Sequence, residues 1–444
     1  MFPPGPRGRF LLGSLPDIRR DPLAFLLRVS ADYGEITHVK LGPFHVFLLN
    51  HPDDIEQVLV THHYRFIKGR SLSGARRLFG NGLLTSDGAL HARQRRIVQP
   101  VFHRVRLDEY AQVMTTLGVE QRDRWRDGDT IDIAREMSRL TLMITGRILF
   151  GAEGDAVTAE IGDALEATTS LLEVAVLPFA ALTDLFPLPQ VRRFRAARAT
   201  LHRVIDSLIE RRRRSGSEDG DVLSLLLSAQ YEGTGERMSD SQVRDEVITL
   251  LLASHETTAN ALAWTWYLLA RHARDEARMH AEIDALLGRG RLPLAGDVTS
   301  LTFTRMVLAE AMRLYPPAWL LARVAVENHE ARGYVVHAGS LVVMSPWVVH
   351  RNASYFPEPE QFDPDRWGTV GHNGRPRFSY FPFGGGSRGC MGEAFAWMEG
   401  VLLLAVVAQR WRFRLLDESL HPEMHPALTL TPISGIRVKV ERRP

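Results

Sequence analysis

Cys390 is the only cysteine among 444 residues, and it lies in the run Phe383-Gly384-Gly385-Gly386-Ser387-Arg388-Gly389-Cys390-Met391-Gly392. A thiolate is both a nucleophile and a metal ligand. The neighbours of Cys390 favour that form. Backbone N–H groups of a glycine-rich loop lower the basicity of a nearby sulfur, Arg388 adds positive charge, and a helix expected directly after Cys390 would aim its N-terminal dipole at it. Alone, the residue leaves four readings open: an inert thiol, a nucleophile, a redox sensor or a single axial metal ligand. One cysteine excludes an internal disulfide, a cysteine-rich zinc site and an iron–sulfur cluster held by several thiolates of this chain. A phosphate cradle is excluded because the Gly-x-x-x-x-Gly-Lys-Ser/Thr pattern is absent.

Three other segments carry reactive side chains. Ser254-His255-Glu256-Thr257-Thr258 interrupts an apolar stretch, and an acid beside an alcohol can relay protons. The same residues could instead mark a helix kink with hydroxyls bonded back to carbonyls. A zinc-protease reading fails because the second histidine would fall on Ala259. Glu310 and Arg313 share a helix face and can pair, and Arg366, in Phe362-Asp363-Pro364-Asp365-Arg366-Trp367, could join them.

These segments need a scaffold, and the chain is long enough to bury a large core. Hydrophobic residues make up 45% and charged residues 24%, the balance of a globular protein, and a net charge of +2 gives no reason to expect nucleic acid as a partner. Lysine occurs only at Lys40, Lys68 and Lys439, an arginine bias read as a GC-rich, bacterial coding sequence. The arginine run 211–214 reads as a solvated helix C-terminus. No secretory h-region follows Met1, and His255 and Glu256 break the most apolar stretch, so no membrane anchor is expected and the cytosol is the expected location.

Residues 1–20, rich in Pro, Gly and Arg, read as an extended arm, with a helix from about Asp21. Strands are expected over 36–41 and 45–49 around a Gly42-Pro43 turn, and again over 323–326, 334–337 and 341–344. The region 53–272 reads as mostly helical. Its central helix, 240–272, is apolar on nearly every face, as a core helix must be, and Ser239 with Gln242 offers a capping box. A last helix is expected over 392–410. Length alone suggests about three domains.

Taken together and in order, these segments resemble the cytochromes P450, the haem-thiolate monooxygenases. Phe383, Gly386, Arg388, Cys390 and Gly392 match every fixed position of Phe-x-x-Gly-x-Arg-x-Cys-x-Gly. Glu310 and Arg313 match Glu-x-x-Arg, Arg366 matches the third member of that triad, and Ala253, Glu256, Thr257 and Thr258 match the central-helix pattern. His91 and Arg95 fit a His-x-x-x-Arg form of the early helix. Ser254 departs from the family, which has glycine beside the oxygen groove. The resemblance spans essentially the whole chain. It implies a mainly α fold with a minor β region, a single domain over 1–444 that encloses haem between a long central helix and a Cys-ligand loop.

The resemblance implies haem b with Cys390 as its iron ligand, and Phe383 beside the sulfur. It implies His91, Arg95, Arg323 and Arg388 on the propionates, with Glu256 and Thr257 delivering protons to bound oxygen. Glu310, Arg313 and Arg366 would be structural. With no flavin or nicotinamide motif in the chain, electrons would come from a separate ferredoxin or flavodoxin with an NAD(P)H-dependent reductase. Arg93, Arg96, His103, Arg104 and Arg106 could form its docking face or a solvated helix surface. The expected reaction is insertion of one atom of O2 into a C–H bond of a lipophilic small molecule. Segments 72–84, 171–179, 250–253, 317–321 and 432–435 would line a mainly apolar pocket. That favours a terpenoid, a sesquiterpene in bacterial secondary metabolism, with a fatty acid held by Arg76 or Arg77 as the alternative. The complete Glu256-Thr257 pair argues against a peroxide-driven peroxygenase and a non-enzymatic haem sensor. A cysteine hydrolase lacks an assignable base.

Overall fold

The computed structural model describes all residues except 70–75, 77–78, 176–188, 217–219, 232–234, 289, 369–373, 420 and 444, and only the backbone at 166, 168–175 and 190. In chain order the elements used below are α1 (Leu15–Arg20), α2 (Pro22–Tyr33), β1 (Ile36–Leu41), β2 (Phe44–Leu49), β3 (Phe66–Ile67), α3 (Gly88–Val98), α4 (Arg104–Arg124), α5 (Ile133–Phe150), α6 (Asp240–Arg271), α7 (Thr302–Leu314), β4 (Leu321–Ala325), β5 (Leu341–Met344) and α8 (Glu393–Ala408). The chain forms two compact units: residues 1–71 with 309–390, and residues 72–308 with 391–444.

The first unit is built on a five-stranded sheet of order β1-β2-β5-β4-β3. β1 and β2 form the expected hairpin, with Gly42 at φ 57° supplying the left-handed turn residue. β2 and β5 run parallel, and the remaining pairs are antiparallel. Phe47, Leu49, Leu59, Val342, Met344 and Phe381 are among the residues that fill the core on this sheet. The expected extended arm is extended only to Gly8, and residues 9–13 fold into a turn closed by an Arg9–Gly13 bridge. Leu15–Arg20 turns into α1, with Pro16 in its first turn, where proline's missing N–H costs nothing.

The second unit is mainly helical, with a three-stranded sheet (Thr130–Asp132, Arg437–Arg442, Trp411–Leu415) and the two-stranded pair Met424–Pro426 with Leu430–Pro432. α6 runs 32 residues without interruption, about 48 Å at 1.5 Å per residue. Ser239 caps it by accepting the Gln242 N–H at 3.3 Å, but the Gln242 side chain turns to Glu246 and the Asn81 carbonyl, so only half of the expected capping box forms. Between Glu246 and Leu269 nearly every α6 side chain is buried. Trp264 donates to the Leu430 carbonyl at 3.0 Å, and the Trp266 ring meets Phe413 edge-on. α8 is likewise apolar all round and packs on α4 and α6.

Glu310 and Arg313, at the end of α7, are fully buried. Two parallel hydrogen bonds of 2.8 and 2.9 Å join them, and Arg366 Nε adds a third to Glu310 at 2.9 Å. Trp367 Nε1 and the Asp363 N–H complete the carboxylate's shell, while Arg313 also donates to the carbonyls of His350, Pro359 and Gln361. The anticipated triad is therefore real, and it holds the irregular 350–367 segment against α7. Truncating one member leaves a buried charge unpaired. Glu310→Ala should cost about 3–5 kcal/mol of unfolding free energy, measurable by denaturant titration, whereas Arg377→Ala on the exposed surface should cost little.

Candidate active site

The sulfur loop belongs to the first unit. Gly384 N donates to the Phe381 carbonyl, Gly389 N to that of Gly386 and Cys390 N to that of Phe383, each at 3.0 Å. Sequence reasoning ties the glycines to close approach by a flat group. The structure shows a nearer cause. A Cβ on Gly386 (φ 65°) would lie 1.9 Å from the Leu59 carbonyl oxygen, and one on Gly385 would lie 2.6 Å from the Phe378 ring. The loop is pressed onto the chain's own backbone. Cys390 itself is exposed, unlike the buried thiol expected of an inert structural cysteine.

His350 anchors this loop, and nothing in the sequence singles it out. It is fully buried, and its Nε2 accepts the Phe381 N–H at 3.0 Å at the loop's first turn. Arg323 lies on β4, nearly buried, with Nη1 on the Ala322 carbonyl at 2.8 Å. It shares a strand face with Leu321, whose side chain stands against Gly384. The loop is thus brought to the β4 face that carries Arg323. Arg388 sits in the 3-10 turn Gly386–Arg388, and Phe383 takes part through its carbonyl.

In the second unit, α6 opens at one place. From Glu246 to Leu269 only Ala253, Ser254, Glu256 and Thr257 are not buried, a single face at helical spacing. The helix runs through this place without interruption. Thr257 Oγ1 donates back to the Ala253 carbonyl at 2.7 Å, and Ser254 Oγ to Leu250 at 2.6 Å while accepting from Thr145 at 3.3 Å. The serine that departs from the family pattern is thus tied along its own helix and to α5. Glu256 Oε1 accepts the Thr429 hydroxyl, 173 residues along the chain, and Glu256 Oε2 is buried with no hydrogen-bond partner among the described residues. Behind this face, α8 buries Glu399, whose carboxyl is pushed up to about 8 by burial, offset in part by the Thr258 hydroxyl.

His91 and Arg95 lie one turn apart on α3, His91 buried and Arg95 half-buried. The loop entering α3 is stapled to the first turns of α6. Asp245 Oδ2 accepts the Asn81 N–H at 2.8 Å and Glu246 Oε2 that of Leu83 at 2.9 Å, while Gln94 of α3 reaches the Asn81 carbonyl. Burial pushes the Glu246 carboxyl up to about 7. Sequence reasoning missed this staple, whose one visible signal was an acidic pair at the head of an apolar helix.

Of the pocket segments, residues 72–75, 77–78 and 171–179, with Arg77, lie outside the described side chains. Arg76 gives Nε to the Thr85 carbonyl at 2.9 Å and faces Asp87 at 3.4 Å, so its charge is already opposed. The five candidate docking residues divide. Arg93 lies over the Tyr231 ring and pairs with Glu236, and Arg106 pairs with Glu109, whereas Arg96, His103 and Arg104 are exposed.

The cytochrome P450 family model matches residues 3–440, and the chain belongs to that family. It is therefore an oxidoreductase of the haem-iron monooxygenase class, which uses O2, electrons from redox partners and a lipophilic substrate. The chain is 42% identical to cyclooctatin synthase of Streptomyces melanosporofaciens, covering 97% of this chain and 94% of that one. It is 38% identical to cyclooctat-9-en-7-ol 5-monooxygenase of the same organism, over 91% and 88%. The crystal structure of the cytochrome P450DA haem domain superposes with a TM-score of 0.89 at 27% identity, covering 99% and 98%. No helix among the described residues is long and apolar enough to cross a membrane.

Two buried groups give opposite pH signatures. Burial, with the charges of Arg313 and Arg351, holds His350 well below its usual 6.5. Below that pH the unfolded chain takes up a proton that the folded chain refuses, so this contribution is complete above 6.5 and lost as pH falls. Thermal melts should show a shallower acid limb for His350→Gln than for the native chain. Glu399 acts the other way. Its carboxyl rises from 4.5 to about 8 on folding, so stability is complete below 4.5 and drains away as pH rises toward 8. Glu399→Gln should gain in melting temperature relative to the native chain between pH 5 and 8, with no further gain above.

Proposed function

We propose that this protein hydroxylates a terpenoid in bacterial secondary metabolism, using haem b held through Cys390. The observation that carries the reading is the α6 face Ala253-Ser254-Glu256-Thr257, the one accessible place along the buried length of that helix, which pairs an unpartnered carboxylate oxygen with an alcohol. The donor set fits the cofactor: an exposed thiol on a tightly fastened loop, and cationic or imidazole groups at His91, Arg95, Arg323 and Arg388 for two propionates. Phe383 flanks the sulfur. A thiolate-ligated haem iron supplies O–O cleavage and the oxidising equivalent.

The chain's own residues bind, orient and move protons. Glu256 Oε2 takes up a proton while Thr429 holds Oε1, and the Thr257 hydroxyl, swinging from the Ala253 carbonyl, passes it on. The balance is O2, two electrons, two protons and R–H giving R–OH and water. A ferredoxin or flavodoxin, reduced by an NAD(P)H-dependent reductase, delivers the electrons, and Arg96 and Arg104, with His103 beside Arg104, form the exposed surface that meets it. We read residues 1–444 as a single P450 domain. The relatives' names, an alkenol monooxygenase and a synthase of its series, support a carbocyclic terpenoid. The fatty-acid alternative loses Arg76 to Asp87.

The reduced, carbon monoxide-treated protein should show the red-shifted Soret band of a thiolate-ligated haem, and Cys390→Ala should abolish it. A native protein that is folded and haem-loaded yet lacks the band would overturn the reading. Thr257→Ala should keep NAD(P)H consumption but lower product per NAD(P)H by on the order of tenfold or more. In a spectral binding screen terpenes should shift the Soret band, and a response to fatty acids alone would reject the substrate class.

A further inference from the structure

The chemistry above leaves unused an apolar tip near the start of the first unit. Phe10, Leu11 and Leu12 are consecutive and 91%, 76% and 49% exposed. This is a built turn. Gly13 N donates to the Arg9 carbonyl at 2.8 Å and Arg9 N to that of Gly13 at 2.9 Å, while Ser14 N reaches Lys40 at 2.8 Å and Gly42 N reaches Leu12 at 3.0 Å. Both ends of the turn therefore hang on the end of β1 and its hairpin. Gly13 cannot carry a side chain, since a Cβ would meet the Lys40 oxygen at 2.0 Å. Leu11 sits at φ 64°, a left-handed conformation that a branched side chain rarely adopts. Glycine or asparagine would relieve that strain and be more soluble, so the fold holds a large apolar side chain out in water against two penalties.

The surroundings are cationic. Arg7, Arg9, Arg19 and Arg20 are exposed, and none forms an ion pair among the described residues. Lys40 is exposed beside the turn. The acidic residues of this stretch are Asp17 and Asp21, and Asp21 is occupied in capping α2. An exposed apolar turn flanked in sequence by four exposed arginines matches a surface whose outer layer is anionic phosphate and whose next layer is hydrocarbon. It does not match a second copy of itself, because a symmetric pairing would bring two sets of exposed arginines of like charge together.

We propose that the Phe10–Leu12 turn docks this protein on an anionic lipid bilayer. The three side chains enter the headgroup–acyl boundary, and Arg7, Arg9, Arg19 and Arg20 lie on the phosphates. The contact is interfacial, and no helix spans. It does not depend on the identity of the substrate.

Co-sedimentation of the haem-loaded protein with vesicles of phosphatidylglycerol and phosphatidylcholine, against phosphatidylcholine alone, tests this. Binding is expected on the anionic vesicles and should weaken at high salt. Phe10→Ser with Leu12→Ser, or Arg19→Glu with Arg20→Glu, should each lower the partition coefficient on the order of tenfold. Leu11→Gly, which removes the apolar group and relieves the backbone, should bind less while melting no lower than the native chain. Haem content and melting temperature check that the exposed-site variants fold. Native protein that fails to bind anionic vesicles, or apolar-tip variants that bind as well as native, would overturn the proposal. So would a concentration-dependent dimer in sedimentation velocity that the Phe10/Leu12 variant abolishes without a change in vesicle binding.

Discussion

One buried carboxylate organises the first unit. Glu310 accepts from Arg313 and Arg366 with no exposure to water, and such a charge is tolerable only when every oxygen lone pair is matched. From it a line of hydrogen bonds runs to the sulfur. Arg313 holds the His350 carbonyl, the His350 ring accepts the Phe381 N–H, Gly384 bonds back to Phe381, and the Phe383 carbonyl accepts the N–H of Cys390. The loop behind the thiol is fastened at each of these points. A desolvated imidazole suits this post, since a neutral ring offers an acceptor and a protonated one does not.

The second unit solves a different problem, which is to place polar groups inside an apolar helix without breaking it. α6 succeeds by keeping its backbone ladder whole and sending each hydroxyl of the accessible face back to its own carbonyls. The carboxylate reaches outward to Thr429. One of its oxygens is left unmatched, a cost that a purely structural helix would shed. At its head the same helix uses Asp245 and Glu246 as acceptors for loop N–H groups, and so fixes where α3, with His91 and Arg95, begins.

Much of this was legible in the residues. The β1–β2 hairpin follows from alternation around Gly42-Pro43, and β5 falls at 341–344 as read. α6 and α8 follow from continuous apolar character, with ends within two residues of expectation. The Glu310–Arg313–Arg366 cluster followed from a three-residue spacing plus the family pattern. α1 was missed because Pro16 and the flanking arginines read as an arm, while tertiary context made the proline a helix start.

What the sequence determines by itself is local periodicity and the order of chemically distinctive residues, because both are carried by neighbours a few positions apart. That suffices for the element types, the family and the thiol. Tertiary structure alone decides that Gly386 faces Leu59, that His350 holds the sulfur loop, that Glu256 binds Thr429, that Glu399 is buried behind Thr258, and that Arg76 is spent on Asp87. In the first four the partners lie far apart in the chain, and in all of them the residue types are ordinary. Their pairing is set by which surfaces the packed helices and sheet bring together, and by the cost of leaving a buried polar group without a partner.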